Sequence, residues 1–135
     1  MPVTYQIDPA RNLIRTRCIG DVTPEEVAAH FRELAQDPNR PNHLNVLLDL
    51  TEETSLPERE DLLGVSLHIS DLFDSAQFGA CAIVAENDAL FGMMRMFEVL
   101  AMEYFVITHV FRELAEAESW LQAVSPSVRR MAYPQ

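Results

Sequence analysis

The chain has 135 residues, of which 48% are hydrophobic and 23% charged, and its formal net charge is −11. This length predicts one domain with a substantial core, and the composition is that of a globular protein rather than a disordered chain. Because the negative charge repels phosphate groups, we expect no nucleic-acid partner. No apolar run reaches the ~20 residues of a membrane span, and the N-terminus lacks a secretion signal, so we expect a cytoplasmic protein without integral membrane association.

Two short strands and a helix open the predicted fold. Residues 3–7 and 12–19 alternate in polarity, and the turn-forming link DPARN between them favours antiparallel pairing. Thr23-Pro24-Glu25-Glu26 then predicts a helix start, with Thr23 as the cap, proline at the first helical position and Glu26 completing a capping box. The prolines after Asp37 end this helix.

The rest of the chain alternates apolar strands with helices. The predicted strands are 44–50, 78–85 and 104–111. The predicted helices are 57–73, 88–103 and 113–124. The order β-β-α-β-α-β-α-β-α predicts a single α/β domain over residues 1–124, with a mostly parallel five-stranded sheet and an antiparallel N-terminal strand. Residues 125–135 are predicted to be a loosely held C-terminal tail.

The predicted helix over 88–103 is apolar on two sides. Its core-facing stripe comprises Leu90, Met93, Met94, Phe97, Leu100 and Ala101. Its opposite side carries Phe91, Met96, Val99 and Met102 around the cation of Arg95. A helix that is apolar on both sides is either buried on both sides or offers a surface to a partner. We therefore expect Arg95 to act as a polar anchor and its four apolar neighbours to make the contacts.

A polar loop after the first buried strand is a second candidate site. It contains Asp49, Thr51, Thr54 and Ser55, and ligands of open α/β sheets gather at the carboxyl ends of strands. A loop with hydroxyl groups at a helix N-terminus suits phosphate or another anion. The alternative is that Asp49 and Thr51 only organise the turn, while Thr54 or Ser55 caps the next helix.

The common catalytic and cofactor motifs are missing from the sequence. There is no GxGxxG, GxxxxGK[ST], GxSxG or HExxH, so we expect neither an enzyme nor a bound cofactor. The histidines are scattered and the acidic clusters resemble solvated faces, so we expect no metal site. His109 lies in the middle of a strand and is expected to be buried in the core. Cys18 and Cys81 are interpreted as reduced core residues.

Two short patterns resemble the SpoIIAA-like family, within the STAS group of anti-sigma-factor-antagonist folds. They are Gly92-Met93-Met94-Arg95-Met96-Phe97, and the sequence Phe111-Arg112 followed by Ala117 and Trp120-Leu121. The resemblance implies a small α/β domain without established catalysis, whose relatives are protein-binding regulators or, in Sec14-like comparisons, binders of apolar ligands. It also implies a strand ending like Asp49-Leu50-Thr51. The acidic segment after this strand lacks the next part of that pattern and disfavours a phosphorylated Thr54 or Ser55.

These observations favour a non-enzymatic regulatory module of the STAS type. We expect it to form a homodimer, or to bind a protein partner, through the helix at 88–103. The alternative is a binding protein for a small amphipathic carboxylate or lipid, with the same helix lining the pocket and Arg95 holding the acid. An enzyme that uses His109 or Asp49 is a third hypothesis.

Overall fold

The computed structural model describes residues 2–73 and 77–132, and within them five strands form one sheet. The strands are β1 (Val3–Asp8), β2 (Leu13–Gly20), β3 (His43–Glu53), β4 (Gln77–Val84) and β5 (Ile107–Phe111). The helices are α1 (Pro24–Gln36), α2 (Arg59–Phe73), α3 (Asp88–Ala101) and α4 (Leu114–Ala132). A single 3-10 turn, Pro9–Arg11, joins β1 to β2, and Asn12 closes it in the left-handed conformation that asparagine tolerates.

The strands lie in the sheet in chain order, β1-β2-β3-β4-β5. β1 is antiparallel to β2, and the remaining neighbours are parallel, so the predicted α/β architecture with its antiparallel N-terminal strand is confirmed. Successive crossovers advance in the same direction across the sheet. Right-handed connections of this kind place α1, α2 and α3 on the same face, and α4 packs against β3, β4 and β5 from the other face.

The core has two layers of unequal size. The larger layer lies between the sheet and α1–α3, and it includes most of the predicted core stripe of α3. The smaller layer lies under α4 and comprises Leu13, Leu47, Ala80, Ala82, Val84, Ala117 and Leu121. The alanines of β4 leave room for α4 to approach the sheet closely. Cys18 and Cys81 are buried free thiols, as predicted.

Some element boundaries differ from the sequence prediction. α3 ends at Ala101, because residues 102–104 form a tight turn in which the amide of Tyr104 donates to the carbonyl of Ala101. β5 accordingly begins at Ile107. α4 continues to Ala132 and takes in much of the predicted tail. A proline inside a helix removes one backbone N–H donor and crowds the carbonyl four residues earlier, so it kinks the helix where it does not end it. Residues 133–135 of that tail lie outside the described residues.

The prediction that His109 is buried in the core is wrong. Its strand, β5, is the last in the sheet, so the imidazole is half exposed and packs against Phe111 and Trp120 at the sheet margin. Within the described part of the chain, no helix is long and apolar enough to cross a membrane.

Candidate functional site

A cavity of about 470 Å³ lies between the sheet and the helices α1 and α2. Its volume is within the range of pockets that bind small molecules. Most of its wall is apolar, and the side chains come from the sheet, α1, α2 and the inner side of α3. Examples from these elements are Ile14, Leu48, Phe78, Phe31, Leu34, Val65, Ile69, Met94 and Phe97.

The cavity opens at the carboxyl ends of β2 and β3. The lining residues that are exposed to solvent belong to the loops after these strands and to the first turns of α1 and α2; they are Asp21, Thr23, Pro24, Leu56 and Glu60. In α/β sheets this end of the strands is the usual place for a ligand. Gly64 also lines the cavity, and a Cβ atom added to it would meet nothing within 4 Å. The gap between α1 and α2 is therefore widened where α2 has no side chain.

Glu53 is an acidic group in this mostly apolar wall. The pairing of β2 with β3 shifts register between Arg17 and Ile19, and one extra residue of β3 is accommodated there. The shift turns Glu53 towards the cavity and leaves Glu52 on the other face, where it forms an ion pair with Arg17 at 2.6 Å. Burial raises the pKa of Glu53 to about 7, although hydrogen bonds from Ser55 and Cys18 favour its ionised form.

His30 is a second polar group in the cavity wall. It is 9% exposed, and its Nδ1 atom has no hydrogen-bond partner. The rings of Tyr5 and Phe31 pack against the imidazole, with centroids at 5.4 and 5.3 Å. Burial lowers the pKa of His30 to about 4, which keeps the ring neutral at ordinary pH. A buried polar atom without a partner is rare in folded proteins and marks a place where a ligand can supply the missing hydrogen bond.

Neither of these two groups is among the site residues predicted from the sequence. Glu53 belongs to an acidic segment with the pattern of a solvated surface, and strict alternation along β3 would place it with Asp49 and Thr51 on the opposite face. His30 is one of four scattered histidines. The helical spacing could have identified it. His30 lies three residues after Val27 and four before Leu34, so it falls on the inner side of α1.

The predicted contact residues of α3 lie outside the cavity. Arg95 is exposed and pairs with Glu98 on the same helix at 3.5 Å. Met96, Val99 and Met102 are 45%, 65% and 74% exposed. Two further apolar side chains at the start of β5, Val106 and Ile107, are exposed close to them in the chain. We name these five apolar side chains, together with Arg95 and Glu98, the α3 surface.

Phe91, the remaining predicted contact residue, is only partly exposed and packs against the core. The guanidinium group of Arg112 lies over its ring, 4.3 Å from the centroid, and also binds the carboxylate of Asp88 at 2.6 Å. Contacts within the chain therefore cover much of Phe91. The core-facing residues Met94 and Phe97, on the other side of α3, are the ones that reach the cavity.

The residues of the predicted loop site do not gather at one place. The carboxylate of Asp49 accepts hydrogen bonds from the amide and the hydroxyl of Thr51, at 3.0 and 2.7 Å. Thr54 is exposed, and its amide donates to the carbonyl of Gly20. Ser55 lines the cavity, and its hydroxyl accepts from the amide of Val22 at 3.0 Å. Of the four predicted residues, Ser55 is the one that joins the cavity.

Among the described residues, no group of three His, Cys, Asp or Glu side chains is placed to hold a metal ion. No curated protein matches the chain. The SpoIIAA-like family profile matches residues 13–122, from the start of β2 into α4, and this stretch contains nearly all of the cavity wall. The chain therefore belongs to the SpoIIAA-like family.

Proposed function

We propose that this protein is a non-enzymatic regulatory domain that binds a small, mainly apolar molecule in the cavity between the sheet and α1–α2. The observation that carries the proposal is the combination of an apolar space of about 470 Å³ with a buried, unpartnered Nδ1 atom of His30 in its wall. An apolar wall with a few convergent polar groups is typical of small-molecule sites.

The chemistry of the cavity wall supports binding rather than catalysis. Cys18 is the one thiol with a carboxylate beside it, but burial and Glu53 raise the pKa of this thiol to about 12. The thiolate is the reactive form of cysteine, so a thiol held in its protonated form is a poor nucleophile. Neutral His30 packs between aromatic rings, and no hydrogen bond connects its Nδ1 atom to a hydroxyl or thiol that it would activate.

The two helix glycines of the chain provide a test. Gly64 in α2 lines the cavity, whereas Gly92 in α3 is exposed and lies outside it; a Cβ atom at either position meets nothing within 4 Å. We expect Gly64→Leu to weaken binding of the neutral apolar dye N-phenyl-1-naphthylamine at least about tenfold, because the added side chain occupies part of the space between α1 and α2. Gly92→Leu is expected to bind like the wild type.

Both substitutions replace glycine by a strong helix former, and each contributes up to about 1 kcal/mol to helix stability. Thermal unfolding checks that both variants fold. The fluorescence titration then separates a specific effect on the cavity from a general effect on stability. Equal dye binding by the two variants, or no binding by the wild type, would contradict the proposal.

Self-association through the α3 surface is a second candidate function. It is favoured by the exposure of Met96, Val99 and Met102, since contiguous exposed apolar side chains mark interaction sites. The occupant that we propose is a second copy of this chain. In a twofold-symmetric dimer the same surface of both copies is in contact. Because the α3 surface carries both Arg95 and Glu98, the guanidinium group of each copy can face the carboxylate of the other. The mass of the protein in solution tests this proposal.

A further inference from the structure

The charged side chains described in the cavity wall are all acidic. Among the described residues that line it, four are acidic, Asp21, Glu53, Glu60 and Asp61, and none is lysine or arginine. The whole chain carries a formal charge of −11, so the electrostatic potential around the protein is also negative on balance. A ligand with an anionic head group would therefore meet repulsion both at the mouth and inside the cavity.

Side chains of the protein already engage some of the amide donors at the helix N-termini near the mouth. Free amide groups at a helix start attract anions. At α1, however, the Thr23 hydroxyl accepts from the amide of Glu26 at 3.2 Å, and the Glu26 carboxylate accepts from the amide of Thr23 at 3.0 Å. Before α2, the carboxylate of Asp61 accepts from the amide of Glu58 at 2.8 Å. The protein's own side chains already occupy these donors.

Glu53 differs from the other three acidic groups because it lies on a strand of the sheet, at the end of β3. Two uncharged donors, Ser55 and Cys18, hydrogen-bond to its carboxylate, and Asp21 adds a further negative charge nearby. No described cation forms an ion pair with it, whereas its neighbour Glu52 has Arg17. Because an ionised carboxylate is costly to bury without a counter-charge, the site favours a ligand that supplies a cation.

We infer that the cavity binds an amphipathic amine, whose apolar body fills the space between the sheet and α1–α2 and whose ammonium group meets the carboxylate of Glu53. This inference rests on the proposed function and specifies the class of its ligand. It differs from the carboxylate ligand expected from the sequence, because Arg95, the cation that was to hold such a ligand, lies on the α3 surface and not in the cavity.

Three probes with the same alkyl chain test the head group: decylamine, decanol and decanoate, each titrated calorimetrically at pH 8 below its micelle-forming concentration. We expect decylamine to bind at least about tenfold more tightly than either of the others. A charge-assisted hydrogen bond is roughly twice as strong as a neutral one, and the difference in energy corresponds to about a tenfold change in affinity. Glu53→Gln should reduce the affinity for decylamine to about that for decanol.

Glu52→Gln is the matched control. It removes the same charge from the adjacent residue of β3, but its side chain lies outside the cavity and pairs with Arg17. We expect its affinity for decylamine to remain within about twofold of the wild type, because an exposed charge acts weakly through solvent. Circular dichroism of both variants checks that they fold.

The dependence of binding on pH provides a second readout. The groups that face Glu53 are Cys18 and Ser55 in hydrogen-bond contact and Asp21 nearby, with Glu60, Asp61, His30 and His68 elsewhere in the cavity wall. Burial raises the pKa of Glu53 to about 7, so the affinity for decylamine should fall as the pH decreases below this value, by up to about tenfold per unit. The Glu53→Gln variant should lose this part of the slope.

The outcomes separate the amine inference from the proposed function. If decanol or decanoate binds as tightly as decylamine, or if Glu53→Gln leaves the amine affinity unchanged, the inference about the amine is overturned while the proposed apolar ligand site stands. If none of the three probes binds, and the neutral dye does not bind either, both proposals are contradicted.

Discussion

His30 and Glu53 occupy the same cavity wall, yet burial moves their pKa values in opposite directions. A buried site disfavours charge, so the basic imidazole loses its proton more readily and the acidic carboxyl holds its proton more firmly. The pKa of His30 is lowered to about 4 and that of Glu53 is raised to about 7. At neutral pH the cavity therefore contains an uncharged ring and a carboxyl close to its midpoint of titration.

His30 should make the fold sensitive to mild acid. An unfolded histidine titrates near pH 6.5, and in the folded protein the value is about 4, so the unfolded state binds more protons between these values. The folded state consequently loses stability as the pH falls through that window. We compare the wild type with His30→Phe, which keeps an aromatic ring but has no group to titrate. As the pH falls from 6.5 towards 4, the difference in unfolding free energy should grow in favour of the variant, by up to about 1.4 kcal/mol per pH unit.

Urea unfolding at several pH values measures this difference. Glu53 has the opposite effect on stability. Its pKa is about 7 in the folded protein and about 4.5 in the unfolded chain, so the stability that its protonation contributes is lost as the pH rises through that range. Comparing the variant with the wild type at each pH cancels this contribution. Unfolding free energies that stay parallel across the range would contradict the assigned role of His30.

Helical periodicity predicted most of the buried side chains of α3. Of the six residues in the predicted core stripe, Leu90, Met94, Phe97 and Ala101 are buried, whereas Met93 and Leu100 are only partly buried. The exposure of Met96, Val99 and Met102 on its other side also agrees with the helical period. The position of Glu53 could not be predicted, because one irregular residue in β3 reverses the side on which every later side chain lies.

At the scale of elements, the first helix illustrates a local signal that determines structure. Thr23 and Glu26 form the capping box that the sequence predicted, with both reciprocal hydrogen bonds present. This cap fixes the start of α1 at the mouth of the cavity, where Thr23 and Pro24 form part of the rim. The same hydrogen bonds thus define the first turn of α1 and engage the amides of Thr23 and Glu26.

We expect Thr23→Ala to lower the free energy of unfolding by about 1 kcal/mol, because the amide of Glu26 loses its side-chain acceptor. Thr23→Ser keeps the hydroxyl oxygen and should stay within a few tenths of a kcal/mol of the wild type. Chemical denaturation of both variants provides the measurement. A loss of equal size in the serine variant would show that the methyl group, not the cap, is responsible.

The alternation of strands and helices determined the α/β class, since parallel neighbours need helical crossovers. The place of each strand in the sheet was not encoded in its own residues: YFVITHVF has the apolar run of an interior strand, yet β5 lies at the margin and exposes His109. A strand read in isolation does not reveal how many neighbours it has.

At the scale of the whole molecule, the uneven covering of the sheet separates the two candidate sites. Three helices cover one face, and the cavity lies beneath two of them. The α3 surface lies on the outer side of the third, near the margin formed by β5. α3 borders both sites, because its inward residues Met94 and Phe97 belong to the cavity wall while its outer side forms the α3 surface.

Charge reversal on the α3 surface tests whether this surface joins two copies of the chain. In the proposed twofold dimer, Arg95 of each copy faces Glu98 of the other, so Arg95→Glu places like charges in contact and should weaken the dimer about tenfold or more. The double variant Arg95→Glu with Glu98→Arg restores opposite charges across the interface and should recover most of the association. Sedimentation equilibrium over a range of concentrations measures both effects.

The ion pair within α3 is worth only about 0.2–0.5 kcal/mol, so its loss alone would not change the mass in solution. If the single variant has the same mass as the wild type at every concentration, self-association through this surface is excluded, and ligand binding in the cavity remains as the proposed function.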